Sequence, residues 1–380
     1  MLLLPAVVQA QFTFTTNNGA LAITGYTGPG GTVVIPETTN GYPITAIGDL
    51  AFFYCGSLTN VVIPQSITNI GIEAFDNCSS LTGFTVDALN SFYSSVDGAL
   101  FDKQQTTLIQ FPEAIAGGYA IPGTVTNIAD FAFDYCTGLT LVTIPDSVLR
   151  IGNVAFDSCD SLTNVTIGNN VTYIGGNAFS FCTRLPNVTV PDSVTTLDSA
   201  AFEDCASLTG LKIGNQVRSL GNGAFSSCAS LTNVTMPVSV KAIGDYAFAW
   251  CTNLTRVYFQ GDAPVVGFGV FSRDTLQVYA LPGTTGWAAF TANTGLSTIP
   301  WLLTKPTILD FEPNFGVQTN RFGFTISWAT NPSIVVEACT NLADPAWQSV
   351  QTNTLTEGTA YFNDPQWTNY PGRFYRLRSP

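Results

Sequence analysis

The sequence predicts a mainly-β solenoid of 23-residue coils with a parallel sheet, followed by a small β-sandwich module. First, eight of the nine cysteines each follow a phenylalanine by three residues, and every gap from Cys136 to Cys251 is 23 residues. Second, each repeat contains a short segment with apolar residues at alternate positions, which is the period of a strand. Third, residues 313–380 lack the repeat and show short alternating runs between Pro- and Gly-containing turns.

The repeat unit reads A-F-x-x-C-x-x-L-x-x-V-x-I-P-x-S-V-x-x-I-G-x-x. It is too short to bury its own apolar side, so identical units must stack, and stacked units form a solenoid. The run from Leu162 to Ile167 predicts one strand, and the run from Val171 to Gly175 predicts a turn and a second short strand. We expect Gly175 to occupy either a left-handed or a sterically tight backbone position.

Equal spacing places residues of one phase in columns, and we expect the Phe, Leu, Val/Ile and Cys columns to face inward. Cysteine is small and often buried, so unpaired thiols beside the Phe rings are the favoured interpretation. A disulfide between adjacent coils is the alternative, because secretion would permit one. In-register neighbours lie about 4.8 Å apart, beyond the usual Cβ separation of a disulfide. A row of thiols without CxxC spacing does not predict zinc.

The phased stretches "SLTNVVIPQSITNIGIEAFDNC" and "SLTNVTMPVSVKAIGDYAFAWC" resemble the BspA-like, treponemal-class leucine-rich repeats of bacterial surface proteins. The irregular insert at 90–112 and the stretch that ends in "ALPGTTGW" are similar to elements of the same family. The resemblance implies a right-handed leucine-rich-repeat solenoid with its parallel sheet on the concave face. It also implies surface exposure, and adhesion for some members. The pattern "NLADPAWQSV…FYRL" resembles a C-terminal β module found on secreted bacterial proteins.

The chain therefore divides into segments with different expected roles. The apolar N-terminus with small residues at Val8 and Ala10 predicts a signal peptide. In the C-terminal module, Trp328, Trp347 and Trp367 are the expected core. The predicted segments are a signal peptide at 1–10, the solenoid at 11–300 with irregular coils at about 84–122 and a C-terminal cap at about 257–300, a linker at 301–312 and the β-sandwich-like module at 313–380.

Composition excludes several function classes. The chain has no histidine, which removes the commonest general base and zinc ligand. Its net charge of −13, with only 13 Lys and Arg, disfavours nucleic acid and anionic lipid as partners. No run in the sequence reaches the length of a membrane span. We expect no cofactor, no metal and no membrane insertion.

Residues that face solvent carry any binding function. The strand positions held mostly by Asn and Thr are interrupted by Lys212, Arg256 and Tyr258. Before the cysteines, Tyr135, Phe181 and Trp250 replace small polar residues, and Tyr54 does the same. These aromatics either contact a partner or cover gaps at the coil edge. The candidate partner-binding residues are Lys212, Arg256, Tyr258, Trp250, Phe181 and Tyr135.

Asp134 and Asp157 fall in one column and are expected one coil apart. Two nearby carboxylates act as acid and base or bind calcium in other proteins, but solvated surface is the favoured interpretation here. We therefore expect a non-enzymatic binding or adhesion protein, secreted or at the cell surface, with a protein or glycan partner. The alternative is a passive spacer or coat, and a polysaccharide-acting enzyme ranks third. The sequence leaves the oligomeric state open.

Overall fold

The structure is a computed structural model that describes residues 11–17, 19–272, 276–301, 303, 306–309, 315–318, 321–327, 333–356 and 358–378. It is a β-solenoid of about 12 turns with parallel sheets and a spacing of about 23 residues, followed by further β-strands. The mainly-β repeat prediction is thus confirmed. By compactness the chain divides into two units, and the second takes 233–241, 255–266 and 275–380. The predicted signal peptide at 1–10 lies outside the described residues.

The first unit begins with an N-terminal sheet and continues as stacked coils. Each regular coil contributes one strand to each of two parallel ladders. The N-terminal sheet contains β1 (Phe12–Asn17), β2 (Ala20–Tyr26), β4 (Thr38–Thr39), β5 (Tyr42–Ile47) and β7 (Asn69–Ile70). On the first side the strands form three separate parallel sheets, which contain β3 (Gly31–Val34), β6 (Leu58–Ile63) and β8 (Gly83–Val86); β12 (Gly117–Ala120), β14 (Leu139–Thr143) and β16 (Asn164–Thr166); and β18 (Asn187–Thr189) and β20 (Gly210–Lys212). On the second side the strands share one sheet, which begins with the antiparallel strands β9 (Tyr93–Val96), β10 (Ala99–Asp102) and β11 (Thr107–Gln110) and continues in parallel through β13 (Asn127–Ile128), β15 (Arg150–Ile151), β17 (Tyr173–Ile174), β19 (Thr196–Leu197), β21 (Ser219–Leu220) and β23 (Ala242–Ile243).

The phenylalanine column forms the axis of the core. Phe156 and Phe179 stack with ring centroids 4.9 Å apart and an interplanar angle of 2°. Phe179 and Phe202 repeat this geometry at 5.1 Å and 3°. All three rings are fully buried, as their spacing in the sequence predicts. Burial of such rings is the main source of stability in a repeat that has no core of its own.

The cysteine column lies beside the rings, and all nine cysteines of the chain are free. The Cys159 thiol donates a hydrogen bond to the Phe133 carbonyl at 3.2 Å, and Cys205 donates to Phe179 at the same distance. Burial raises the pKa of the Cys159 thiol well above its usual value. The prediction of unpaired thiols is confirmed, and all of them except half-buried Cys55 are buried. In the coils they fill the corner beside the ring and bond the coil before.

Each regular coil turns on residues with positive φ that flank the Ala-Phe pair. In one coil these are Asn177 (φ 55°) and Phe181 (φ 54°). Gly175 has no positive φ, so its role is the tight approach: a Cβ there would lie 2.6 Å from the Gly152 carbonyl carbon. The glycine column therefore sets how closely successive coils can stack.

One coil departs from this pattern. Strands β9, β10 and β11 form an antiparallel meander, and β11 then joins the parallel ladder through Leu108, which pairs with Ile128. Phe111 stacks on Phe133 at 4.9 Å and takes the position of the Phe column. This irregular coil spans 93–114, within the predicted irregular segment.

The second unit contains a four-stranded parallel sheet, a short helix and the C-terminal module. Phe290 of the helix is buried and packs edge to face on Phe259, 5.6 Å between centroids. The elements are β22 (Asn233–Met236), β24 (Arg256–Phe259), β25 (Val265–Val266), β26 (Gln277–Ala280), α1 (Trp287–Thr294) and β27 (Thr298–Pro300). Within the described residues, no helix is long and apolar enough to cross a membrane.

The C-terminal module is built from two antiparallel sheets that share one core. Phe324 and Phe362 of one sheet pack with Ile334 and Val336 of the other. The first sheet has β28 (Thr307–Leu309), β29 (Gly316–Gln318), β30 (Arg321–Ser327) and β33 (Thr359–Asp364), and the second has β31 (Ser333–Cys339), β32 (Gln348–Thr354) and β34 (Phe374–Arg378), with a 3₁₀ turn at Trp367–Asn369.

The predicted tryptophan core of this module is wrong for the two tryptophans that the structure describes. Trp347 and Trp367 are only half-buried, and Trp328 lies outside the described residues. The Arg376 guanidinium lies over the Trp347 ring, 4.4 Å from its centroid. Tryptophan is large and carries a polar N–H, so Phe, Ile and Val fill this small interior instead.

Candidate functional site

The strand face of the regular coils is mostly polar and is interrupted by few apolar side chains, such as exposed Leu141. Exposed Leu141 and Thr143 pair with Asn164 and Thr166 of the next coil, so the side chains form straight rows. Lys212 is exposed on β20, opposite Thr189. Lys212 therefore lies on this face, as predicted, next to a neutral threonine. Among the described residues of the first unit, no aromatic ring packs against it.

The sheet of the second unit has a different face. Arg256 and Tyr258 lie two residues apart on β24 and therefore point to the same side. Tyr258 is in register with Tyr279 on β26, and their rings stack at 4.9 Å. The Trp301 ring also packs on Tyr258, with 4.9 Å between the ring centroids. We call Tyr258, Tyr279 and Trp301 the aromatic platform, and all three are half-buried.

Polar and apolar groups flank the aromatic platform. Arg256 pairs across the sheet with Gln277, and both side chains are exposed. The Tyr279 hydroxyl donates to the Gln277 Oε1 at 2.8 Å, which orients that amide. On β27, exposed Ile299 is in register with Tyr279 of β26. Flat aromatic surface beside a cation and a fixed amide suits the rings of a sugar or the side chains of a protein.

Sequence reasoning found Arg256 and Tyr258 and missed Tyr279 and Trp301. The signal for Tyr279 was present, because "QVYA" repeats the phase of "RVYF". The spacing there is 21 residues rather than 23, which removes Tyr279 from the regular columns. No pattern in the sequence indicated Trp301, because it follows β27, the last strand of this sheet. Its backbone N–H donates to the Ala280 carbonyl at 2.7 Å, and this bond holds Trp301 beside the sheet.

Trp250 belongs to a second aromatic group, on the turn side of the first unit. Its ring stacks on Tyr246 at 5.8 Å, and Tyr246 meets Phe268 edge to face at 5.5 Å. Trp250 is 42% exposed and Phe268 is 72% exposed. Tyr246 and Trp250 both have positive φ, so each occupies a turn position that places its ring at the coil edge.

Tyr135 and Phe181 also occupy positive-φ turn positions and are exposed. They lie two coils apart with Ser158 between them, and the described ring contacts do not join them to each other or to Trp250. Of the six predicted residues, Tyr258 belongs to the aromatic platform and Arg256 lies beside it, whereas the other four are distributed over the first unit.

A column of acidic residues follows the Phe column, and its first members are buried. Asp134 is only 4% exposed, so the prediction of a solvated carboxylate is wrong. Burial, and then the charge of nearby Asp76, raise the pKa of Asp134 to about 9. The negative charge of Asp76 next to this buried carboxyl favours the protonated form of Asp134. Asp157 lies one coil on, as expected, and burial raises its pKa as well.

Glu113 belongs to the same region and was not singled out from the sequence. Its Oε1 accepts the backbone N–H of Cys78 at 3.0 Å. Burial raises the pKa of Glu113 to about 7, although that hydrogen bond opposes the shift. Within the described residues, no group of three or more carboxylates or thiols is arranged to hold a metal ion. Of these carboxyl groups, Glu113 is the one that bonds the backbone of another coil beside the irregular segment.

The three C-terminal arginines are not a free basic patch. Arg376 and Arg378 both contact the Glu337 carboxylate at 2.7 Å. Hydrogen bonds from Arg378, and then from Arg376, lower the pKa of Glu337. Arg373 pairs with Asp364 at 2.7 Å. These ion pairs join strands of the module and leave little free positive charge for an anionic partner.

Comparison with known proteins agrees with this architecture. The family model described as BspA type leucine rich repeat region matches residues 35–117, 118–225 and 177–297, with six copies. A leucine-rich repeat protein from Eubacterium ventriosum is 22% identical, with a TM-score of 0.58 over 72% of this chain and 94% of that one. One from Bacteroides ovatus is 23% identical, with a TM-score of 0.52 over 76% and 75%. No curated protein matches the chain.

Proposed function

Because the chain belongs to the BspA-type leucine-rich-repeat family, we propose that it is a non-enzymatic binding protein of the cell exterior. Its partner is a protein or a glycan, recognised through an exposed face of the repeats. The aromatic platform of Tyr258, Tyr279 and Trp301 is the observation that carries this proposal. Aromatic side chains provide large contact area at low entropic cost and dominate the energetics of many interfaces.

The passive-spacer alternative requires a featureless surface, and the regular coils fit it well. Rows such as Thr143 and Thr166 repeat one side chain without a depression or charge. The platform breaks that uniformity, since Tyr258 and Tyr279 replace the threonine of the repeat. A spacer gains nothing from two half-exposed stacked rings. An enzyme of the glycosidase type needs a carboxylate pair in an open cleft, whereas Asp76 and Asp134 are buried within the coil stack.

The test is partner binding by the full chain and by Tyr258→Thr, which restores the repeat residue. A glycan array and an array of extracellular proteins serve as probes. We expect the wild-type chain to bind at least one class and Tyr258→Thr to lose at least ten-fold in affinity, because a central aromatic contributes more than 1.4 kcal/mol. The matched control is Tyr135→Ser, which replaces an exposed tyrosine by the residue at the same position of the next coil.

Each result decides between the candidates. Loss of binding in Tyr258→Thr with retention in Tyr135→Ser supports the platform. The reverse pattern assigns recognition to the aromatics before the cysteines. If the wild-type chain binds no member of either array, the passive-spacer function gains and the platform proposal is rejected.

A further inference from the structure

The irregular coil is shorter than its neighbours in the segment that joins its second strand to its phenylalanine, and we call this segment the arc. In a regular coil, four residues separate the second-strand Ile from the Phe, as from Ile128 to Phe133. In the irregular coil, Leu108 pairs with Ile128 and Phe111 stacks on Phe133, so only Ile109 and Gln110 lie between. Two residues of backbone are therefore missing at this level of the stack.

A cavity of about 330 Å³ occupies the place of the missing arc. Its walls are the arcs of the flanking coils, 70–75 and 127 with 129–131, together with Leu100, Ile109, Gln110 and Arg150. Ala129, one of these lining residues, stands in the glycine column at this level. We attribute the tolerance of its Cβ to the cavity beside it. The volume lies at the lower end of the range for small-ligand sites.

The break leaves backbone groups without their usual partners. In the preceding coil, the N–H groups of Leu50 and Phe52 bond the carbonyls of Ile72 and Ala74. The corresponding N–H groups of Glu73 and Phe75, which border the cavity, have no hydrogen bond among the described residues. Strand β7 pairs only with β5, and on its other edge the Ile70 N–H donates to the Tyr93 hydroxyl at 3.0 Å, so no strand continues the ladder there. Buried peptide groups are nearly always paired, so these positions favour a ligand with carbonyl acceptors.

Gln110 is a second, independent sign of an incomplete site. It replaces the alanine of the Ala-Phe pair, is only 6% exposed, and borders the cavity. Its Nε2 has no hydrogen-bond partner among the described residues. A buried amide without a partner destabilises the free protein. A ligand that pairs with it would recover that cost.

We propose that this cavity binds a short extended peptide whose backbone continues the interrupted ladder. Two or three residues fit the missing length and supply carbonyls to Glu73, Phe75 and Gln110. This is strand addition to a sheet edge, confined to one coil. A sugar of similar size offers hydroxyls but no repeated carbonyl spacing, so it fits the open edge less well. The proposal concerns the first unit and does not depend on the aromatic platform.

The test is calorimetric titration of the full chain with N-acetyl-dialanine amide and N-acetyl-trialanine amide, with glucose as a hydroxyl-rich probe. We expect the peptides to bind at millimolar concentration and glucose to bind at least ten-fold more weakly. Insertion of Gly-Asn between Leu108 and Ile109 restores the regular arc length and should abolish peptide binding. Gln110→Ala, which restores the repeat residue, should weaken it several-fold.

Circular dichroism checks whether the insertion variant folds. If it does not, Ile72→Trp, at the exposed mouth of the cavity, is the second variant that should block peptide binding. Absence of heat with both peptides overturns the proposal. Equal peptide binding by wild type, by Gln110→Ala and by a folded blocking variant also overturns it, because the peptide would then bind elsewhere. Tighter binding of glucose than of the peptides would reject the peptide class.

Discussion

The regular coils from Phe133 to Cys251 and the irregular coil at 93–114 solve the same stacking problem with different groups. In the regular coils, backbone N–H groups bond backbone carbonyls of the next coil, as Phe156 does with Ala178 at 2.7 Å. At the irregular coil, the N–H of Phe75 has no such partner among the described residues, and the nearby Glu113 carboxylate accepts the Cys78 N–H, whose counterpart in Cys136 bonds the Phe133 carbonyl of its own coil. The comparison teaches that an interrupted ladder brings a buried polar side chain into the interior without restoring the coil-to-coil bonds.

The two regions also differ in which side chains lie in the interior of the stack. Where the ladder is continuous, only small or apolar residues point inward and the strand face is a neutral polar row. Where it is interrupted, Gln110, Glu113 and the Asp76–Asp134 pair enter the interior. Buried polar groups are costly unless satisfied, so the irregular coil is the less stable part of this comparison. The predictions below test the regular coils first and the irregular coil afterwards.

The largest expected effect is loss of a ring from the regular column. Phe179→Ala should lower the free energy of unfolding by about 3–5 kcal/mol, because it removes a buried ring stacked on both sides. Denaturant unfolding followed by circular dichroism measures this. Phe181→Ala is the control, since that ring is exposed, and it should change the free energy by less than about 0.5 kcal/mol. A loss below about 1 kcal/mol for Phe179→Ala would mean that the column is not the core.

A smaller effect is expected in the glycine column. Gly152→Ala should destabilise by about 1–3 kcal/mol, because its Cβ would lie 2.6 Å from the Ala129 carbonyl carbon. Asp198 occupies the same column in another coil, which shows that the stack can adjust at a cost. Ala129→Gly, one coil earlier and beside the cavity, is the matched control and should have at most the cost of added chain entropy, about 1 kcal/mol. Equal destabilisation by the two changes would contradict the assigned cavity.

The buried carboxyl pair predicts a pH dependence. The pKa of Asp134 in the folded state, about 9, is above its unfolded value of about 4. The unfolded chain therefore releases this proton first, and stability falls as pH rises from about 4 to about 9. Asp134→Asn keeps a donor to Asp76 and should flatten the fall in melting temperature between pH 5 and pH 8. Exposed Asp160→Asn is the control. An unchanged pH profile in Asp134→Asn would show that this carboxyl is ionised when folded.

The sequence predicted the coil, the inward columns and the free thiols because equal spacing becomes registry in space. It did not predict the cavity, since a two-residue deletion is visible only when Leu108 and Phe111 are aligned with Ile128 and Phe133. Burial of Asp134 was missed because most residues of its column are polar, which indicates a solvated face, whereas Ser180 and Ser226 of the same column are buried as well. The aromatic platform was half predicted: Tyr258 interrupts a threonine row, whereas Trp301 reaches that face through the path of the chain after the repeats.

The smallest expected effect is a difference in reactivity between the thiols along the stack. Cys159 and Cys182 are fully buried, and burial raises both pKa values well above the usual range. Cys55 is half-buried, and burial raises its pKa too. The thiolate is the reactive form, so under native conditions we expect at most Cys55 to react with a thiol reagent at neutral pH. After denaturation without reductant, all nine should react. Mass spectrometry of labelled peptides, with Cys55→Ser as the control, gives the position of each label. Labelling of Cys159 or Cys182 as fast as Cys55 would mean that the regular coils open as readily as the first coils of the stack, and it would contradict the protection that their complete burial predicts.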